Sequence, residues 1–106
     1  MNNILSTLEK ILEQRKSASP DNSYVSSLYS KGTDQILKKI AEESAEVIMA
    51  TKEGETDKIV YEVADLWFHT MILLRHKNIA FSDIEKELMR RYGVSGLTEK
   101  LNRTVK

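Results

Sequence analysis

Cysteine is absent from this 106-residue chain, which removes disulfides, thiolate nucleophiles and cysteine-type zinc sites together and suits a reducing compartment. No charge of one sign dominates. Lysine plus arginine and aspartate plus glutamate number 16 each, so no global positive field draws in nucleic acid. Long apolar runs are missing as well: the stretch from Met71 to Leu74 falls far short of a membrane span. The N-terminal segment MNNILSTLEKILEQRK has no basic start, and Glu9, Lys10 and Glu13 interrupt its apolar residues, so it does not read as a secretory signal. A cytoplasmic protein with neither nucleic acid nor membrane as partner is the expectation. Proline occurs once, inside the breaker cluster SASPDNS at 17 to 23, and no strand pattern or solenoid-type repeat competes with helix.

What is there is helical periodicity. Ile4, Leu5, Leu8, Ile11 and Leu12 follow the pattern of an amphipathic helix that should end before Ser17. After the proline cluster, YVSSLYSKG reads equally as a short helix or an ordered loop. A second long helix is expected from a cap at Thr33 or Asp34 to about Glu53, with Gly54 as its stop. A third should run from near Thr56 to about His76. Ser82 and Glu85 form a capping-box pattern that should open a last helix ending at Gly93. The fold class is therefore all-α: a helical bundle of about four helices around a central antiparallel hairpin, one domain over 1–95 with a tail over 96–106. The third helix is apolar almost all round (Ile59, Val60, Val63, Leu66, Trp67, Phe68, Met71, Ile72). A chain this small cannot easily cover it, so completion by a homodimer or higher homo-oligomer is expected, with Trp67, Phe68 and the run from Met71 to Leu74 in the core or at that interface.

Acids stand where apolar residues belong. Ile36, Ile40, Glu43, Val47 and Ala50 recur at the spacing of an inward helical stripe, and Glu43 is one of them. Glu46 flanks the same stripe one turn on. In the next helix Glu62, Asp65 and His69 share a face. Taken singly, such acids are commonly solvated or paired with a base one turn away, here Lys39 with Glu43 and Lys58 with Glu62. Taken together, the short GETD turn should bring the two helices antiparallel, so that the carboxylates converge. Clustered acids repel and resist ionisation, and a divalent cation relieves that. An all-oxygen donor set favours Mg²⁺, with Mn²⁺ as the alternative, over zinc. A carboxylate-held cation is in turn a common way to hold a polyphosphate.

Glu42-Glu43-x-x-Glu46 followed by Glu62-x-x-Asp65 resembles the signature of the all-α, MazG-like nucleoside-triphosphate pyrophosphohydrolases. Within that superfamily the chain looks most like the phosphoribosyl-ATP pyrophosphohydrolases of histidine biosynthesis. That resemblance covers about residues 4 to 92. It rests on Ser23-Tyr24, Gly32, ILKKIAEESAEV at 37 to 48, the Lys-x-Gly turn at 52 to 54, and EVADLWFH at 62 to 69. Ala41, where the family often has glycine, and Phe68, where it often has tyrosine, are mild departures. The resemblance implies Mg²⁺ held by Glu43, Glu46, Glu62 and Asp65, with Glu42 as an accessory ligand or supporting acid. It also implies hydrolysis of phosphoribosyl-ATP to phosphoribosyl-AMP and pyrophosphate, with one of these carboxylates orienting or deprotonating the attacking water.

Further candidates for substrate contact are Lys38, Lys39, Arg90 and Arg91, as cations for phosphate, and Tyr24 and Lys31, in the segment before the second long helix. His69 can face the substrate, orient a carboxylate or simply fill the core. Two other readings stand beside the histidine-pathway one. A pyrophosphohydrolase that clears modified nucleoside triphosphates would use the same metal platform. A non-catalytic dimerisation module would use its acids only in salt bridges.

Overall fold

The computed structural model describes residues 3–93, so the tail expected over 96–106 lies outside the described residues. These residues form five α-helices: α1 (Ile4–Gln14), α2 (Tyr24–Lys31), α3 (Thr33–Glu53), α4 (Thr56–His76) and α5 (Phe81–Tyr92). One 3₁₀ turn, Arg15–Ser17, continues α1. No strand occurs among the described residues, as the all-α expectation required.

The α3–α4 hairpin is the centre of the fold. Gly54 ends α3 in the left-handed conformation (φ 83°), and its N–H reaches the carbonyls of Ala50 and Thr51. Only glycine adopts that backbone without strain, so the stop signal in the sequence is a conformational requirement. Glu55 then leads straight into α4, which folds back along α3. Leu12, Val25, Leu28, Ile36, Met71, Ile72 and Phe81 form the buried core, drawn from all five helices.

The ambiguous stretch after the proline cluster is α2, and tertiary contacts decide it. Ser23 caps the helix by accepting from the Ser26 N–H at 3.2 Å, while Val25 and Leu28 are buried. The Ser26 hydroxyl donates to the Arg15 carbonyl, and the Tyr29 hydroxyl donates to the Leu12 carbonyl at 2.9 Å. An eight-residue helix is marginal alone; this one is held by α1.

Three local expectations are corrected. The capping box at Ser82 and Glu85 does not form, because α5 starts at Phe81, behind Ala80, with no side-chain cap from its own segment. Burial of Phe81 in the core sets that earlier start, and Glu9 Oε2 of α1 accepts from the Phe81 N–H at 2.9 Å. Neither Thr33 nor Asp34 caps α3: Gly32 (φ 97°) precedes the helix, and the Thr33 hydroxyl lies 3.1 Å from Nε2 of His76 instead. Lys58 pairs with Glu53 across the hairpin turn at 2.6 Å rather than with Glu62. Trp67, expected in the core or at an interface between copies, is 57% exposed in the single chain. It borders a groove of about 490 Å³ between α1, α4 and α5, lined also by Leu66, Met71, Leu74, Ile84 and Leu88.

Candidate metal and phosphate site

The helical register that buries Ile36 and Ala50 also buries Glu43, which is only 4% exposed. Ile40 and Val47 of the same stripe are half-buried. From α4, Glu62 and Asp65 approach half-buried, with His69 buried beneath them. One carboxylate oxygen from each of Glu43, Glu62 and Asp65 falls in a group spanning no more than 4.8 Å. No donor reaches Glu43 Oε2 or Glu62 Oε2, although both atoms are buried. A buried carboxylate oxygen without a partner is costly, and a proton or a cation would relieve it. The donor set is entirely oxygen, so the residues present fit a hard divalent ion such as Mg²⁺ or Mn²⁺.

The electrostatics follow from the crowding. Burial, the adjoining Glu46 carboxylate and the charge of Asp65 push the Glu43 carboxyl up to about 7, against the opposing pull of Lys39. Glu62 is raised too, first by its contact with Glu46 and then by burial. Glu46 is lowered, because Glu62 and Glu43 serve it as hydrogen-bonding neighbours. Without a cation, protons therefore gather on Glu43 and Glu62 while the exposed Glu46 keeps its charge. A divalent ion bound there would displace those protons.

The remaining candidates divide by position. Lys39 Nζ is 3.8 Å from Glu43 Oε1, the nearest cation to the cluster. His69 Nδ1 is 3.9 Å from the same oxygen, but its hydrogen-bond partner is the Asp65 carbonyl at 2.9 Å. Tyr24 reaches the site from α2, its hydroxyl 2.7 Å from Nε2 of His69. Glu42 is exposed beside the cluster and outside the three-carboxylate group. Lys38 is exposed on α3, and Lys31 is exposed at the end of α2. Arg90 and Arg91 are taken up by Glu87 on their own helix, each with a contact at 2.7 Å. Sequence reasoning raised Tyr24 and His69 separately and missed their pairing, since no periodicity links residues on different helices 45 positions apart.

Comparison with known proteins agrees with this arrangement. Residues 5–92 match the family model for phosphoribosyl-ATP pyrophosphohydrolase. The chain is 70% identical to a phosphoribosyl-ATP pyrophosphatase of Vesicomyosocius okutanii subsp. Calyptogena okutanii, over 97% of this chain and 98% of the relative. It is 69% identical, with the same coverage, to the protein of that name from Ruthia magnifica subsp. Calyptogena magnifica. Against the one from Hydrogenovibrio crunogenus it is 55% identical, over 97% of this chain and 95% of the relative. A family match across the hairpin, both acidic registers and α2 leaves no place for the non-catalytic dimerisation module. The chain belongs to the phosphoribosyl-ATP pyrophosphohydrolase family.

Proposed function

We propose that this chain hydrolyses phosphoribosyl-ATP to phosphoribosyl-AMP and pyrophosphate, the second step of histidine biosynthesis, in the cytoplasm and with Mg²⁺ as cofactor. The observation that carries the reading is the trio of Glu43, Glu62 and Asp65, whose carboxylates converge within 4.8 Å, two of them with a buried oxygen that no donor reaches. The names of the relatives support the substrate, and favour it over a modified nucleoside triphosphate. Glu43, Glu62 and Asp65 would hold the cation, Glu46 would complete or flank the set, and Glu42 would add negative charge at its rim. A cation held by these residues would supply charge neutralisation for the polyphosphate and polarisation of the phosphoryl group.

Water adds to a phosphorus of the α,β-anhydride, the bond from that phosphorus to the bridging oxygen breaks, and pyrophosphate leaves. The water's proton would pass to one of the clustered carboxylates. Lys39, already drawn to the cluster, supplies positive charge for the departing phosphates. A second copy of the chain would cover the apolar surface left open around Trp67, giving a homodimer or a higher homo-oligomer.

The direct test is pyrophosphate release from phosphoribosyl-ATP, with and without Mg²⁺, beside a panel of ordinary and modified nucleoside triphosphates. Mg²⁺-dependent release from phosphoribosyl-ATP alone is expected. Release only from the panel would keep the metal site and change the substrate, whereas Mg²⁺-independent turnover would remove the cation from the reading.

A further inference from the structure

Tyr24 is an exposed aromatic residue that is nevertheless tied down at both ends. It is 51% exposed. Its backbone opens α2 directly behind the Ser23 cap, where Ser23 Oγ accepts from the Ser26 N–H. Its hydroxyl lies 2.7 Å from Nε2 of His69 on α4, and the two rings meet edge to face, centroids 5.8 Å apart at 86°. A free surface tyrosine samples several rotamers. This one is held in a single orientation by a partner that is itself 4% exposed.

The direction of that hydrogen bond follows from the far side of the imidazole. His69 Nδ1 is 2.9 Å from the backbone carbonyl of Asp65. A carbonyl oxygen only accepts, so Nδ1 carries the hydrogen, and in the neutral ring Nε2 is then the acceptor. The Tyr24 hydroxyl must therefore donate its only proton inward. What it leaves for a ligand is its exposed ring and the oxygen lone pairs. The site is the acidic one, because Nδ1 of the same imidazole lies 3.9 Å from Oε1 of Glu43. A ring face offers a phosphate no donor, and a hard divalent cation takes oxygen ligands in preference to a ring. It suits the nucleoside half of a nucleotide, whose base is flat and whose ribose hydroxyls can donate to the phenol oxygen.

We propose that Tyr24 forms a wall of the site against the nucleoside half of the substrate, and that His69 is its positioning residue, held in the required tautomer by the Asp65 carbonyl. The inference rests on the phosphoribosyl-ATP reading above. Because the anchor orients the ring before substrate arrives, losing it weakens binding and leaves the chemical step alone.

The experiment is steady-state hydrolysis of phosphoribosyl-ATP by the full chain with Mg²⁺, for wild type, Tyr24→Phe, Tyr24→Leu, His69→Asn and the Tyr24→Phe/His69→Asn double variant. It is combined with inhibition by inorganic pyrophosphate and nitrogen–proton correlation NMR of the imidazoles. Tyr24→Phe should raise KM about three- to tenfold, the effect of one hydrogen bond, with kcat within about twofold. Tyr24→Leu should raise KM further. The double variant should be no worse than the more affected single one, since both remove the same bond. Pyrophosphate, which has no nucleoside, should inhibit Tyr24→Phe as it inhibits wild type, and NMR should find the His69 hydrogen on Nδ1. An unchanged KM in both Tyr24 variants overturns the proposal. So does a fall in kcat in place of the rise in KM, or a hydrogen found on Nε2. If His69→Asn fails to fold, the Tyr24 variants and the NMR of wild type decide. A wild type that does not turn over phosphoribosyl-ATP overturns the functional reading itself, and this inference with it.

Discussion

Glu43 is the residue on which stability and function pull apart. It occupies a stripe position that an apolar side chain would fill at lower cost, and burial beside two other acids lifts its carboxyl to about 7. The folded chain then binds a proton more tightly than the unfolded chain, whose glutamate keeps its ordinary value of 4.5. Between those two pH values stability falls as pH rises, because the folded state holds the extra proton there. The favourable contribution is complete below the ordinary glutamate range and gone above about 7. In the absence of divalent cations, Glu43→Gln should therefore melt higher than wild type at pH 8, and the gap should close toward pH 4.5. Adding Mg²⁺ should raise the melting temperature of wild type and that of the variant less, by preferential binding to the folded state. A pH-independent gap between the two melting curves would show that the carboxyl is not under this strain. The burial of Glu43 was legible in the sequence, since a stripe is a local property. The number of oxygens it meets was not.

At the scale of the element, the two ends of the helices behave differently. Gly54 was readable because a left-handed stop needs glycine whatever surrounds it. The start of α5 was misread because the local capping box is outcompeted by burial of Phe81 and by an acceptor 72 residues away. Glu9→Ala should cost about 1 kcal/mol, the usual value of a lost helix cap. Ser82→Ala, which removes a hydroxyl that caps nothing, should stay within about 0.5 kcal/mol. Urea midpoints measured on the two variants check the pair, and the reverse order would restore the capping box. The helicity of α2 belongs to the same class. Its own eight residues do not decide it, whereas Arg15 and Leu12 do, by accepting from Ser26 and Tyr29.

The whole molecule leaves apolar surface open on its two longest helices. Leu37 and Ile48 on α3 are 45% and 62% exposed, and Val60 and Trp67 on α4 are 62% and 57% exposed. Single exposed apolar residues are ordinary, but a lined groove beside further exposed ones marks an interaction surface. A second copy of the chain is the proposed cover, so sedimentation at micromolar concentration should give a species heavier than 12.2 kDa. Charging the groove through Trp67→Glu should shift that species toward the monomer. A wild type sedimenting as a single 12.2 kDa species would end the proposal.

The sequence by itself determined four of the five helices, the hairpin turn and the acid on the inward stripe, because periodicity, a left-handed glycine and a two-residue connection act over one or two turns of chain. Its acidic registers were enough to suggest a cation, since carboxylates on facing helices can be counted without knowing their distances. Only the tertiary structure decided that Glu43, Glu62 and Asp65 meet within one cluster, with Glu46 against Glu43 and Glu62 at its edge. It alone showed that Lys58 turns away to Glu53, that Glu9 caps α5, and that His69 holds Tyr24. These outcomes depend on which side chains a fold brings together from distant positions, where several local choices are nearly equal in energy and packing selects one.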